Sequence, residues 1–224
     1  MKLQSKYIPL AATISLFAAM SVFGAVSYTG FLSPQVFLNL LIDNAFLVIV
    51  AVGMTFVILS GGIDLSVGSV VALSTIVLAK LVQHLHWDLM AAIPLVLCMG
   101  TLFGAFMGWL IQRFRLQPFI VTLAGRFLAR GLCYLISIDS ISITNESFSE
   151  LSQWRLPLWE DASLSLGAVI AIVVLLAAIF IAHHTPVGRA VYAVGGDPAS
   201  ARLMGLPVPG TVISVYALSG FCAA

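Results

Sequence analysis

Charged residues are scarce in this chain, and their scarcity excludes most soluble folds. Only 8% of the 224 residues are Asp, Glu, Lys or Arg, whereas 61% are apolar. Soluble globular domains carry roughly 25% charged residues, so the composition indicates a protein that lives among membrane lipids. The formal net charge is +1, and so small a charge gives no reason to expect a nucleic-acid partner.

The sequence also lacks the motifs of nucleotide hydrolysis and of common catalytic centres. It has no GxxxxGK[ST] loop, so we expect the chain not to hydrolyse ATP itself. The pairs His84/His86 and His183/His184 have no neighbouring ligands that would complete a metal site. No HExxH motif or Ser–His–Asp set can be assembled either. We therefore predict no enzyme activity, no metal and no cofactor.

Cysteine is rare, and its positions exclude a disulfide framework. Cys98, Cys133 and Cys222 are widely spaced, and each lies within an apolar run. Three such thiols offer no pairing pattern and no metal-ligand spacing. We interpret them as small hydrophobic residues.

Long apolar runs fill most of the chain. A membrane-spanning helix needs about 20 mostly apolar residues. Six complete runs are followed by a seventh that begins near Thr211, but too few residues follow Thr211 to cross a bilayer at about 1.5 Å per residue. We predict an all-α polytopic transmembrane bundle, a single domain over residues 1–224 that is incomplete at its C-terminus. The six complete runs cover about 8–28, 36–59, 65–83, 89–111, 118–137 and 164–182.

The charges of the loops predict the orientation of these spans. The first run is too long for a signal peptide, and other spans follow it, so we expect a retained first helix with a cytoplasmic N-terminus. The long loop over 138–163, which has five acidic residues against one arginine, then falls outside. The basic residues fall on the cytoplasmic side, as the positive-inside rule requires: Lys2, Lys6, Arg113, Arg115, Arg189 and Arg202.

A polar break interrupts the apolar sequence over residues 51–69. Gly61 and Gly62 are followed by the carboxylate of Asp64, with long apolar runs on both sides. Freed backbone groups and a charge are costly in a membrane, and discontinuous helices often form transport pathways. We expect a tight turn on the cytoplasmic side or a re-entrant turn.

Other polar residues lie inside the predicted spans. Arg126 and Arg130 are four residues apart and share a helix face. One interpretation is a polar path for a hydrophilic solute; the alternative is that Asp43 or Asp64 pairs with one of these arginines and pins the helices together. The residues assigned to the solute path are Asp43, Asn44, Asp64, Ser66, Ser69 and Arg130.

Three glycines form a ridge along the fourth span. Gly100, Gly104 and Gly108 recur every four residues, and such a GxxxGxxxG pattern lets two helix backbones approach closely. We predict a packing surface for a helix of the same or another subunit.

The loop over 183–210 contains a short helix with signals at both ends. Asp197 suits the N-cap, Pro198 the first helical position and Gly205 the residue after the helix. We therefore predict a helix over 198–204. Its small residues, Ala199 to Ala201, would let another protein approach closely, so the helix either docks a partner or is an ordinary capped loop helix.

Three stretches together resemble a known family. Residues 53–69, 185–205 and 118–125 with Arg130–Gly131 are similar to the permease subunits of ribose-type bacterial ABC sugar importers. Residues 43–46 and 53–69 are most similar to permeases assigned to galactofuranose uptake. The resemblance implies an inner-membrane permease that imports a monosaccharide by alternating access. The implied partners are a cytoplasmic ABC ATPase, a periplasmic sugar-binding protein and a second permease subunit, identical or related.

The resemblance also implies that the loop over 183–210 couples the permease to its ATPase. An ion-coupled secondary transporter is the alternative, because broken helices and a buried carboxylate suit that class too. The capped cytoplasmic helix favours the importer. The residues to which the coupling role transfers are Gly188, Arg189, Gly195, Gly196, Asp197, Ala201 and Gly205.

Overall fold

A computed structural model describes residues 8–159 and 162–224. Lys2 and Lys6, which support the predicted orientation, lie outside the described residues. Helices make up most of the described chain, and several are long and apolar, so the predicted all-α membrane bundle is confirmed.

The helices before the outer loop are α1 (Ile8–Ser27), α2 (Pro34–Asp43), α3 (Ala45–Leu59), α4 (Val67–Ala79), α5 (Leu89–Phe114) and α6 (Pro118–Ile136). A π-helical turn, Lys80–His84, follows α4 directly. The remaining elements are α7 (Glu146–Gln153), β1 (Arg155–Trp159), β2 (Ala162–Ser165), α8 (Leu166–His184), α9 (Pro186–Gly196), α10 (Pro198–Leu203) and α11 (Val208–Ala223).

Five of the described helices are long and apolar enough to cross a membrane, and a bent pair supplies a sixth span. The pair is α2 and α3, which meet at an angle of 52°. Asn44 lies at the bend, and its side-chain amide donates to the Leu40 carbonyl at 2.7 Å. Such local side-chain bonding competes with a continuous helix. The shorter apolar helix α11 corresponds to the predicted seventh run.

Helix α11 lies at the centre of the bundle, against α3, α4, α5 and α9. Its closest approach is to the glycine ridge of α5, where a methyl group on Gly104 would overlap the Tyr216 carbonyl. A methyl group on Gly108 would lie 2.9 Å from the Ile213 Cα. Gly100 likewise faces Gly220. The helix that packs on this ridge therefore belongs to the same chain.

The loop between α6 and α8 is folded, although the sequence suggested only a loop. Asn145 caps α7 by accepting from the Phe148 amide, and β1 and β2 form an antiparallel hairpin with a bulge. Two glutamines anchor the loop to the membrane helices. Gln83 accepts from the Thr144 amide at 2.8 Å, and Gln35 accepts from the Ser163 amide at 2.8 Å.

The largest apolar core joins the membrane helices to the α9–α10 loop. Val57, Val212 and Tyr216 of the membrane helices pack with Val191 and Val194 of α9, and all five side chains are buried. The loop is therefore part of the packed bundle at this end.

Candidate functional site at the broken helix

The predicted break is a compact turn with its backbone hydrogen bonds satisfied. Gly61 has a φ of +79°, a conformation that glycine adopts without steric cost. Its amide donates to the Ile58 carbonyl, and the Gly62 amide donates to the Val57 carbonyl, both at 2.9 Å. This pair of bonds is the Schellman motif, which ends a helix while satisfying its last carbonyls.

Asp64 connects the break to two helices. The carboxylate is 4% exposed. Its Oδ1 accepts from the Ser66 amide at 2.9 Å and from the Ser66 hydroxyl at 2.6 Å, at the start of α4. Its Oδ2 accepts from the Ser219 hydroxyl of α11 at 2.8 Å. The carboxylate thus ties the start of α4 to the middle of α11.

The structure does not show the ion pairs that were the alternative for the buried charges. Within residues 8–159 and 162–224, neither Asp43 nor Asp64 forms an ion pair with Arg126 or Arg130. Hydroxyls and an amide satisfy Asp64 instead. Both arginines are exposed on the surface of the single chain.

The carbonyl of Ile63, freed by the break, is also satisfied from a distant helix. The Tyr216 hydroxyl of α11 donates to it at 3.1 Å. The Thr122 hydroxyl of α6 lies 3.4 Å from the same oxygen and donates to the Pro118 carbonyl at 2.8 Å. Sequence reasoning missed Tyr216 and Ser219. The sequence feature that could have indicated these two residues is their spacing of three, which places both hydroxyls on one face of an apolar helix.

Helix α9 packs directly against the break. A methyl group on Gly195 would overlap the Leu59 carbonyl, and one on Gly61 would lie 3.8 Å from the Gly195 Cα. Sequence reasoning missed α9. Its start carries standard signals, because the Thr185 hydroxyl accepts from the Gly188 amide at 3.3 Å and Pro186 occupies the first turn.

One residue, Asp197, separates the end of α9 from the start of α10. The Asp197 side chain accepts from the amides of Ala199 and Ser200 at 3.0 and 3.1 Å. Hydrogen bonds from the Ser200 hydroxyl and these two amides hold the pKa of Asp197 below its ordinary value. Gly205, with a φ of +82°, follows the helix. The observed bounds, Pro198–Leu203, differ from the predicted 198–204 by one residue.

The residues assigned to ATPase coupling divide between the surface and the interior. Gly188 and Ala201 are buried, and Gly195 is half-buried at the break. Ala201 therefore packs into the chain's own core and cannot offer a partner the close approach predicted for it. The exposed members are Arg189, Gly196, Asp197 and Gly205.

The residues assigned to a solute path do not form one site. Asp64 and Ser66 bond to each other, and the buried Ser69 follows in the first turn of α4. Asp43 and Asn44 are exposed at the bend between α2 and α3. Arg130 lines a separate cavity between α4 and α6.

A polytopic bundle in which α3 and α4 meet at a buried polar turn, packed against a helical loop at one end, fits a membrane transport permease. The chain belongs to the family described as the branched-chain amino acid transport system / permease component, which matches residues 36–224. The family and the relatives below confirm the resemblance to ribose-type sugar permeases.

Three curated relatives have names that state a transport role. The chain is 46% identical over 214 residues to the inner membrane ABC transporter permease protein YjfF of Escherichia coli (strain K12), covering 95% of this chain and 64% of that protein. It is 39% identical over 235 residues to the fructose import permease protein FruG of Bifidobacterium longum (strain NCC 2705), covering 100% and 67%. It is 38% identical over 195 residues to the ribose import permease protein RbsC of Haemophilus influenzae, covering 84% and 58%.

The chain thus spans between 58% and 67% of the length of these relatives. No solved structure matches it.

Proposed function

We propose that the chain is a permease subunit of an ATP-driven importer that moves a monosaccharide into the cytoplasm by alternating access. The observation that carries the proposal is membership of the permease family, with relatives named as fructose and ribose import permeases and as an ABC transporter permease. The partners expected on this basis are a cytoplasmic ABC ATPase, a periplasmic sugar-binding protein and a second permease subunit. The finer assignment to galactofuranose stays a prediction.

The loop from α9 to α10 is the lever in this proposal. Its exposed side carries Arg189 and the start of α10, where an ATPase would dock. Its inner side places Gly195 against the end of α3. Movement of the loop would therefore reach the break through backbone contact, which transmits displacement because tightly packed groups are nearly incompressible.

The break would pass that movement to the centre of the bundle. Asp64 bonds to Ser219, and the Ile63 carbonyl accepts from Tyr216, so two side chains of α11 are attached to the segment before α4. Ser219 lies eleven residues after Val208, about 16 Å along the helix. A displacement at the loop would thus shift α4 and α11 relative to each other deep in the membrane.

The proposed orientation places this loop in the cytoplasm of a bacterial cell, below the inner membrane. Gln112, close to Arg113 and Arg115, lines a cavity of about 170 Å³ together with Arg202 and Gly61. The two basic loops and the break therefore share one end of the bundle. The positive-inside rule supports a cytoplasmic location for that end.

The geometry of Asp64 disfavours the alternative of an ion-coupled secondary transporter. A carboxylate that carries an ion must exchange partners during transport. Both oxygens of Asp64 already accept hydrogen bonds from the chain itself, and these bonds hold helices together.

Uptake of labelled ribose, fructose and galactofuranose by cells expressing the complete transporter tests the proposal. We expect uptake of at least one sugar to stop when ATP is depleted and to continue when an ionophore collapses the ion gradients. Uptake that survives ATP depletion but stops with the ionophore would support the secondary transporter instead. Uptake of none of the three sugars would contradict the monosaccharide assignment.

A further inference from the structure

An open cavity of about 380 Å³ lies between α4 and α6, at the end of the bundle opposite the α9–α10 loop. Sites for small molecules are typically about 300–1,000 Å³. Thr75 lines it from α4, and Arg130 and Tyr134 line it from α6. Ser137, Asp139 and Ser140, just after α6, complete its polar lining.

The two charged groups of this cavity are free to bind a solute, whereas the Thr75 and Ser137 hydroxyls donate to the carbonyls of Ala72 and Asp139. Arg130 has no hydrogen-bond or ion-pair partner within the described residues, and neither does the carboxylate of Asp139. Arg130 lies six residues before Ile136, about 9 Å along the helix from its outer end. A guanidinium at that depth requires water or a polar ligand. The Ser66 hydroxyl, by comparison, already donates to Asp64.

The lining selects a neutral solute with many hydroxyl groups. One positive charge, Arg130, and one negative charge, Asp139, balance each other, so the cavity favours neither an anion nor a cation. A guanidinium can donate two parallel hydrogen bonds to adjacent oxygens, and a carboxylate accepts from hydroxyls. Ala72, Ile76 and Ala79 provide an apolar wall that suits the carbon–hydrogen face of a sugar ring.

We infer that this cavity is the outer binding site for the transported sugar, with Arg130 and Asp139 as its hydroxyl-binding groups. The inference rests on the proposed function, and it adds the site and the residues that contact the solute. Of the residues predicted to line a solute path, it keeps Arg130 and leaves out Ser66, whose hydroxyl donates to Asp64.

Protection of an introduced thiol tests the inference directly. Ser140→Cys places a thiol on the cavity lining, and Ser152→Cys places a control thiol on the exposed surface of α7. The transporter, purified in lipid nanodiscs, is labelled with a membrane-impermeant maleimide, and peptide mass spectrometry separates these sites from the native cysteines. The probe is whichever of ribose, fructose and galactofuranose the cells take up fastest. We expect this sugar to slow labelling of Ser140→Cys and to leave labelling of Ser152→Cys unchanged.

Two arginines on the same helix provide the matched comparison. Arg126 is exposed one turn from Arg130 but does not line the cavity. Combined with Ser140→Cys, Arg130→Gln should raise the sugar concentration that halves the labelling rate about tenfold, because a hydrogen bond to a charged group is lost. Arg126→Gln should leave that concentration within about twofold, which is the range of ordinary surface changes.

The possible outcomes test the inferred sugar site and the proposed function separately. If the sugar is imported but never protects Ser140→Cys, or if Arg126→Gln and Arg130→Gln weaken protection equally, the inference is wrong and the proposed function stands. If the parent imports none of the three sugars, the proposed function fails and the inference fails with it.

Discussion

At the scale of single residues, Asp64 is a structural group. A carboxylate in a membrane-buried chain is costly unless donors surround it, and the Ser66 and Ser219 hydroxyls and one amide supply those donors. The bond to Ser219 is the only one of the three that reaches another helix. Removing the Ser219 hydroxyl therefore tests the link between Asp64 and α11 without changing the turn at Gly61–Gly62.

We predict that Ser219→Ala lowers the free energy of unfolding by about 1–3 kcal/mol, since it leaves an oxygen of a buried charged group without its donor. Thermal unfolding of the purified permease in lipid nanodiscs measures the effect. Ser214→Ala, an exposed position of the same helix, is the control and should change stability by less than about 0.5 kcal/mol. Equal unfolding midpoints for both variants would show that the Ser219 bond contributes nothing.

How far the sequence predicts this site depends on how local each interaction is. The break at Gly61–Gly62 was predictable, because turn conformation depends on a few adjacent residues. The role of Ser219 was not, because its bond to Asp64 joins residues 155 positions apart. The absence of ion pairs was equally hidden, since a sequence does not show which helix faces meet.

At the scale of elements, α9 and α10 form a short, capped unit. The Asp197 amide donates to the Ala193 carbonyl at the end of α9, and its side chain caps α10, so one residue joins the two helices. Sequence reasoning found α10 because its caps are strong local signals. It missed α9, whose glycines are poor helix formers and whose stability comes from the burial of Val191 and Val194.

We predict that Asp197→Ala frays the start of α10, whereas Asp197→Asn preserves it, because asparagine also accepts the N-cap hydrogen bonds. Hydrogen exchange at the amides of Ala199 and Ser200 measures the effect, with faster exchange expected in Asp197→Ala. Exchange that is unchanged in Asp197→Ala would contradict the capping role.

The same cap should be sensitive to acid. The pKa of Asp197 in the folded protein lies below the ordinary value of 3.8. Its stabilising contribution is therefore fully present above that ordinary value, and it is lost as the pH falls through the lower pKa of the folded state. At neutral pH the cap is intact.

For the whole molecule, the proposed orientation places the α9–α10 loop on one side of the membrane and the segment from α7 to β2 on the other. We predict that Ser152→Cys is labelled by an impermeant maleimide added to the outer face of right-side-out membranes. Gly196→Cys, at an exposed position with open space around it, should be labelled only after the membranes are opened. Labelling of Gly196→Cys from outside would reverse the orientation.

The number and order of the spans followed from apolar run length, because the lipid thickness sets that length. The central position of α11 did not follow, since it depends on the contact between the glycine ridge of α5 and Gly220. The folded loop between α6 and α8 was also hidden, because its anchors, Gln35 and Gln83, lie in distant parts of the chain.

In the proposed mechanism, α9 moves the turn between α3 and α4 through backbone contact at Gly195. Gly195 and Gly196 are adjacent, yet a methyl group on Gly195 would overlap the Leu59 carbonyl, whereas one on Gly196 would meet nothing within 4 Å. The most direct measurement is the ratio of sugar transported to ATP hydrolysed, in proteoliposomes containing the complete transporter.

We predict that Gly195→Ala lowers this ratio severalfold while ATP hydrolysis continues, and that Gly196→Ala leaves the ratio at the parent value. An unchanged ratio in Gly195→Ala, at equal protein levels, would contradict the claim that the contact with the break transmits the movement.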